Sequence, residues 1–87
     1  MRAVFVMLKV EPGHVRDVAD IIGELDVFSE IYSIAGEYDL LLKIYVETFD
    51  ELADLVTDTI QKIPHLRETK SILTFRTYKA PERLRAP

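Results

Sequence analysis

Four consecutive residues in mid-chain, Gly36-Glu37-Tyr38-Asp39, have the types needed to hold a small zwitterion. Gly36 and Glu37 separate two strand-like runs, Glu30 to Ala35 and Tyr38 to Val46. A two-residue hairpin loop with glycine first fits a type II′ turn, whose first position requires φ > 0. Main-chain N–H groups exposed by such a turn can take a carboxylate, while the Asp39 side chain takes an ammonium. The same residues also fit a plain glycine hairpin with solvated acids, and spacing alone leaves both readings open.

Other chemistry-bearing residues are thinner on the ground. The only histidines, His14 and His65, fall in expected turns far apart in the chain and outside any H-x-x-x-H spacing. They read as surface turn residues, so no metal ligand and no cofactor is expected. Asp50 and Glu51 complement the dipole of a helix start, and Asp54 and Asp58 form a solvated acidic face. Without a Gly-rich phosphate loop or a Ser/His/Asp constellation, no catalytic residue is assigned. Arg76, Lys79, Arg83 and Arg85 make the one basic cluster, on a solvated tail. Tyr32, Tyr38, Tyr45 and Tyr78 lie at strand spacing and read as sheet or interface residues.

The elements that position these residues follow from the apolar pattern. Ala3 to Val10 is apolar on both faces and reads as a central strand. After Glu11-Pro12-Gly13, the residues Val15, Val18, Ala19, Ile22 and Leu25 recur at helical spacing, giving a helix from about Gly13 to Leu25. Glu30 to Ala35 suits an edge strand, and Leu40 to Val46 is a second central one. Thr48 and Glu51 fit a capping box ahead of a helix whose inward stripe is Phe49, Leu52, Ala53, Val56, Ile60 and Ile63, ended by Pro64. Glu68 to Tyr78 alternates as a long, polar edge strand. The order βαββαβ, with right-handed crossovers and the two most apolar strands in the middle, gives an α+β ferredoxin-like fold: an antiparallel sheet of order 4-1-3-2 with both helices on one face. Residues 1–79 form one domain and residues 80–87 a C-terminal tail.

Composition narrows the functional classes. A chain of 87 residues buries a modest share of its surface and gains from a partner. A formal charge of −4 disfavours direct DNA binding. The absence of cysteine, of a signal segment and of a membrane-length apolar run makes a cytoplasmic location the expectation. The absence of asparagine, the single glutamine and the 30% of charged residues resemble a thermophile profile. The helix-free face would expose Phe5, Met7 and alternate members of Leu40 to Val46, more than a monomer ordinarily leaves to water. Burying ~400 Å² of it is worth about 10 kcal/mol before association costs. A two-fold dimer of the α/β barrel type is therefore expected.

At these residues the chain resembles a known family. Ile34 to Lys43, with Pro64-His65-Leu66-Arg67-Glu68-Thr69-Lys70-Ser71 at the entry to the last strand, is similar to the effector-binding domain of the Lrp/AsnC regulators, the module of amino-acid metabolism regulation (RAM). The resemblance spans about Ala3 to Tyr78. It implies a protomer that dimerises through its sheet, rings of eight or ten subunits, and a free amino acid as effector between dimers. Gly36, Glu37, Tyr38 and Asp39 would form one wall of that ligand site, with Thr69 and Ser71 supplying the other from a neighbouring subunit. Thr69 and Ser71 read equally as ordinary strand residues. His65 stands where the family often has glycine. No helix-turn-helix precedes the first strand, so the chain resembles the stand-alone form, which would not read operators itself and could co-assemble with full-length relatives. The reading is a transcription-related amino-acid sensor without catalytic activity. The alternative is a small dimeric α/β barrel enzyme of the monooxygenase or isomerase type.

Overall fold

Alternation along the first strand sets the architecture. In β1 (Arg2–Val10), Val4, Val6, Leu8 and Val10 are buried, and the intervening Ala3, Phe5, Met7 and Lys9 are half-buried. An apolar strand of this kind suits the middle of a sheet, where neighbours along both edges satisfy its main-chain groups. The computed structural model describes residues 2–79 and supplies them. β3 (Leu40–Val46) pairs antiparallel along one side of β1, with Val6 opposite Leu42, and β4 (Leu66–Leu73) along the other, with Val6 opposite Ser71. β2 (Glu30–Ser33) completes the sheet on the outer side of β3. The order β2-β3-β1-β4 is the expected 4-1-3-2 read from the other edge.

One face carries the helices. In α1 (Val15–Leu25), Val18 and Ile22 are buried, with Val15, Ala19, Ile21 and Leu25 packed around them. The helix stops at Asp26, which takes the left-handed φ of 54° that a glycine commonly supplies. The second helical stretch changes pitch twice. α2 (Phe49–Asp54) passes into a π-helical turn over Leu55–Thr59 and a 3-10 turn over Ile60–Lys62. Its start is the expected one: the Glu51 N–H donates to Thr48 Oγ1 at 3.2 Å. The Glu51 carboxylate reaches back one residue further than a capping box requires, accepting from the Glu47 N–H at 2.9 Å. Leu8, Ile22, Leu40, Leu42 and Ile60 are the largest fully buried side chains. Each contributes roughly 1.5–3 kcal/mol by leaving water.

Several boundaries depart from the sequence reading. β2 ends at Ser33 and β3 starts at Leu40, so the link is a six-residue loop over residues 34–39 and not a two-residue hairpin. Asp39 is held from both sides: its N–H donates to the Leu8 carbonyl on β1 at 2.8 Å, while its carbonyl accepts from the Ile34 N–H just past β2 at 3.0 Å, which leaves residues 35–38 to make the turn. β4 begins at Leu66 and ends at Leu73, short of the expected Tyr78. Thr74 closes the strand by donating its hydroxyl to the Ala3 carbonyl at 2.6 Å, and Phe75 and Tyr78 beyond it are about 96% and 90% exposed. Phe49 and Ala53 are exposed, because Leu52 takes the inward place in the first turn of α2. The tail 80–87, including Arg83 and Arg85, lies outside the described residues.

The opposite face of the sheet has no helix among the described residues. There Phe5, Met7, Leu41 and Tyr45 are half-buried and share a surface with the exposed Tyr32 and Ile72. Lys43 stands in their midst, its ammonium 5.8 Å from the Phe5 ring centre and 5.2 Å from that of Tyr45. A hydrogen bond to Tyr45 raises the Lys43 pKa above the usual 10.5, against the opposing effect of burial.

Candidate functional site

Three strand ends converge at one rim of the sheet: the end of β1 and the starts of β3 and β4. The loop containing Gly36, Glu37, Tyr38 and Asp39 hangs from this rim. Gly36 has φ 123°, in the region that L side chains rarely adopt, and the space where its side chain would lie is open. Asp39 bridges two strands. Beyond its main-chain bond to Leu8, its Oδ2 accepts from the Val10 N–H at 2.8 Å. The register of β1 against β4 shifts between Lys9 and Val10, and the carboxylate serves as acceptor for the Val10 N–H at that irregularity.

This contact fixes the carboxylate in place at a half-buried position. Lys9, which strand periodicity alone does not single out, brings its ammonium to the Glu37 carbonyl at 3.1 Å. Asp39 of the loop and Lys9 of β1 thus present an anion and a cation, each held by a hydrogen bond to main chain. Such a pair complements a molecule bearing both a carboxylate and an ammonium. Tyr38 is half-buried between them in sequence, and Glu37 is exposed.

Thr69 and Ser71 are not brought to this loop within the chain. Thr69 lies opposite Leu8 and Ser71 opposite Val6, on the far side of β1 from β3. Two inter-strand spacings put them about 10 Å from β3. A shallow concavity of about 240 Å³ lies at the other end of the sheet, lined in part by Arg2, Phe49, Leu73 and Phe75, and none of the expected ligand residues borders it. The loop itself is a ledge.

The histidines are the main surprise. His14, just before α1, and His65, just before β4, stack face to face, with ring centres 3.7 Å apart and planes 5° from parallel. Glu11 joins them, its Oε2 3.3 Å from His65 Nδ1. The Glu11 N–H donates to the His65 carbonyl at 2.9 Å, so the meeting follows from the way β1 continues past its irregularity along β4. Nothing in the spacing of residues 14 and 65 announces it.

A family model described as the Lrp/AsnC ligand binding domain matches residues 3–84. A curated relative, the HTH-type transcriptional regulator FL11 of Pyrococcus abyssi, is 29% identical over 75 residues, which cover 86% of this chain and 49% of that protein. The chain therefore spans about half the length of that regulator. Among solved structures, TTHA0845 of Thermus thermophilus superposes with a TM-score of 0.85 at 31% identity, covering 92% of this chain and all of that one. The transcriptional regulator NMB0573 of Neisseria meningitidis, solved as an L-Met complex, shares the fold with a TM-score of 0.83 at 16% identity, over 97% of this chain and 56% of that one. With the fold, the four-strand order and the family match in agreement, the chain belongs to the Lrp/AsnC ligand binding domain family.

Proposed function

We propose that this regulatory module senses a small free amino acid on the ledge formed by Gly36, Glu37, Tyr38 and Asp39, at a seam between copies of the chain. The observation that carries the reading is the placement of the Lys9 ammonium and the Asp39 carboxylate around that loop, each held by main-chain hydrogen bonds. Lys9 would meet the effector's carboxylate and Asp39 its ammonium. Because the ledge is open, a second wall must come from another copy, and Thr69 and Ser71 of that copy are the candidates. The helix-free apolar face supports assembly, since Phe5, Met7, Leu41 and Tyr45 would leave water in a two-fold dimer. Amino-acid binding by the L-Met-bound neighbour agrees with this reading. The module would act in the cytoplasm without catalysis, and through the same sheet could co-assemble with longer regulators.

Calorimetric titration with the free amino acids tests the proposal. The expected result is binding by the wild type that Asp39→Asn weakens strongly, because asparagine keeps an acceptor for Val10 and removes the charge. Silence from every amino acid, with the oligomer intact, would overturn it.

A further inference from the structure

We propose that Glu11, His14 and His65 bind a divalent transition-metal ion of the zinc class. This goes beyond amino-acid sensing and does not depend on it. Each of the three residues offers one ligand atom, and all three atoms lie within 4.8 Å of one another. Imidazole and carboxylate together are a donor set that zinc, nickel, cobalt and copper ions accept, and three protein ligands leave a position for water or a further carboxylate. Asp17 can supply the latter, its Oδ2 lying 3.4 Å from His14 Nδ1.

The main chain gathers these groups before any ion arrives. Glu11 donates to the His65 carbonyl, and His14 donates to the Glu11 carbonyl at 3.1 Å, so the three backbones are tied in sequence. His14 Nδ1 is buried and makes no hydrogen bond among the described residues, despite the nearby Asp17 carboxylate. With the Asp17 carboxylate at 3.4 Å as its charged neighbour, this nitrogen has a lone pair that an ion shared with that carboxylate can take up. Glu11 and Asp17 also bring two carboxylates to a pair of stacked rings, a charge balance that a divalent cation offsets.

Both histidines hold positions where the backbone favours something else. His65 has φ 69°, a left-handed conformation that glycine adopts more readily. His14 occupies the N-cap of α1 without a capping side-chain hydrogen bond, where asparagine or serine would provide one. Local rules broken twice at one spot, by the two residues that face each other, indicate that the imidazoles serve a purpose other than folding. Coordination requires movement as well. The lone pair of an imidazole lies in the ring plane, so two parallel rings must rotate out of their stack for both nitrogens to reach one ion at ~2.0–2.1 Å.

The test uses the full chain and Zn2+ alone, followed by calorimetry and by the shift in Tm, with Co2+ absorption reporting the coordination. The wild type should bind Zn2+ with a rise in Tm, and Co2+ should develop the visible bands of a tetrahedral nitrogen and oxygen site. His65→Gly and His14→Asn should each lower the affinity about tenfold or more and abolish the Zn2+-dependent rise. Both should fold at least as well as the wild type without metal, because each supplies the residue its backbone position favours. Phe49→Ser, at an exposed position at the opposite end of the sheet from the triad, should bind Zn2+ as the wild type does. Absence of Zn2+ binding by the wild type, undiminished binding by His65→Gly, or an equal response to Mg2+ would each overturn the proposal.

Discussion

Replacing Asp39 by alanine removes the acceptor for the Val10 N–H and leaves that group without a protein partner at the irregular end of β1. A hydrogen bond to a charged acceptor contributes about 1.5–3 kcal/mol when enclosed. Here the carboxylate is half-exposed and water can partly replace it, which lowers the expected loss to about 1–2 kcal/mol. For a domain of this size that corresponds to a fall in Tm of roughly 5–15 °C. Asparagine can present its side-chain carbonyl to the same N–H, so Asp39→Asn should lose about half as much or less. Thermal unfolding of the three proteins at one fixed concentration measures the difference, since an oligomer's Tm moves with concentration. Hydrogen exchange at the Val10 amide locates it: the alanine variant should lose protection there before anywhere else in β1. Equal destabilisation by alanine and asparagine, or unchanged protection at Val10, would show that the carboxylate does not hold this strand end.

Three further outcomes are expected. Leu41→Glu places a charge at the middle of the helix-free face and should convert the proposed dimer to monomer in light scattering, with circular dichroism little changed. Ile22→Ala, at a fully buried position of α1, should destabilise by about 2–5 kcal/mol in denaturant titration, whereas Phe49→Ser, at a position 63% exposed, should cost less than about 1 kcal/mol. The raised Lys43 pKa means that its pairing with Tyr45 favours the folded state throughout the neutral range. That contribution should fade only as pH climbs past lysine's usual 10.5 and through the higher folded value, so Lys43→Met should flatten the alkaline limb of a stability profile.

Much of the frame could be read from single residues. The apolar run of β1 gave its central place in the sheet from pattern alone, whereas of its two faces only that of Val4, Val6, Leu8 and Val10 is buried among the described residues. Thr48 marked the start of α2, and Pro64 the end of the helical stretch, because each acts through its own backbone neighbourhood. The misplacements have a common cause in contacts between distant segments. The loop at residues 34–39 is anchored at Asp39 by the Leu8 carbonyl as well as by Ile34, and no local rule for two-residue turns includes a third strand. Lys9 was hidden in a strand whose periodicity gave it no distinction, and its value came from lying beside the Glu37 carbonyl. His14 and His65 were equally unreadable, since their stacking depends on the register of β1 with β4 across an irregularity at Lys9 and Val10.

The wide turn at Leu55–Thr59 has a consequence for how this chain tolerates change in length. Leu52 and Ile60 are both buried although eight positions apart, a spacing that a regular helix splays by about 80°, and the loosened coil between them takes up part of that angle. Shedding Thr57 or Asp58, both exposed, would bring the two inward residues to a spacing of seven and let an ordinary helix run through. A single-residue deletion here is expected to keep Leu52 and Ile60 inward, with an unfolding transition close to that of the full-length chain as the check.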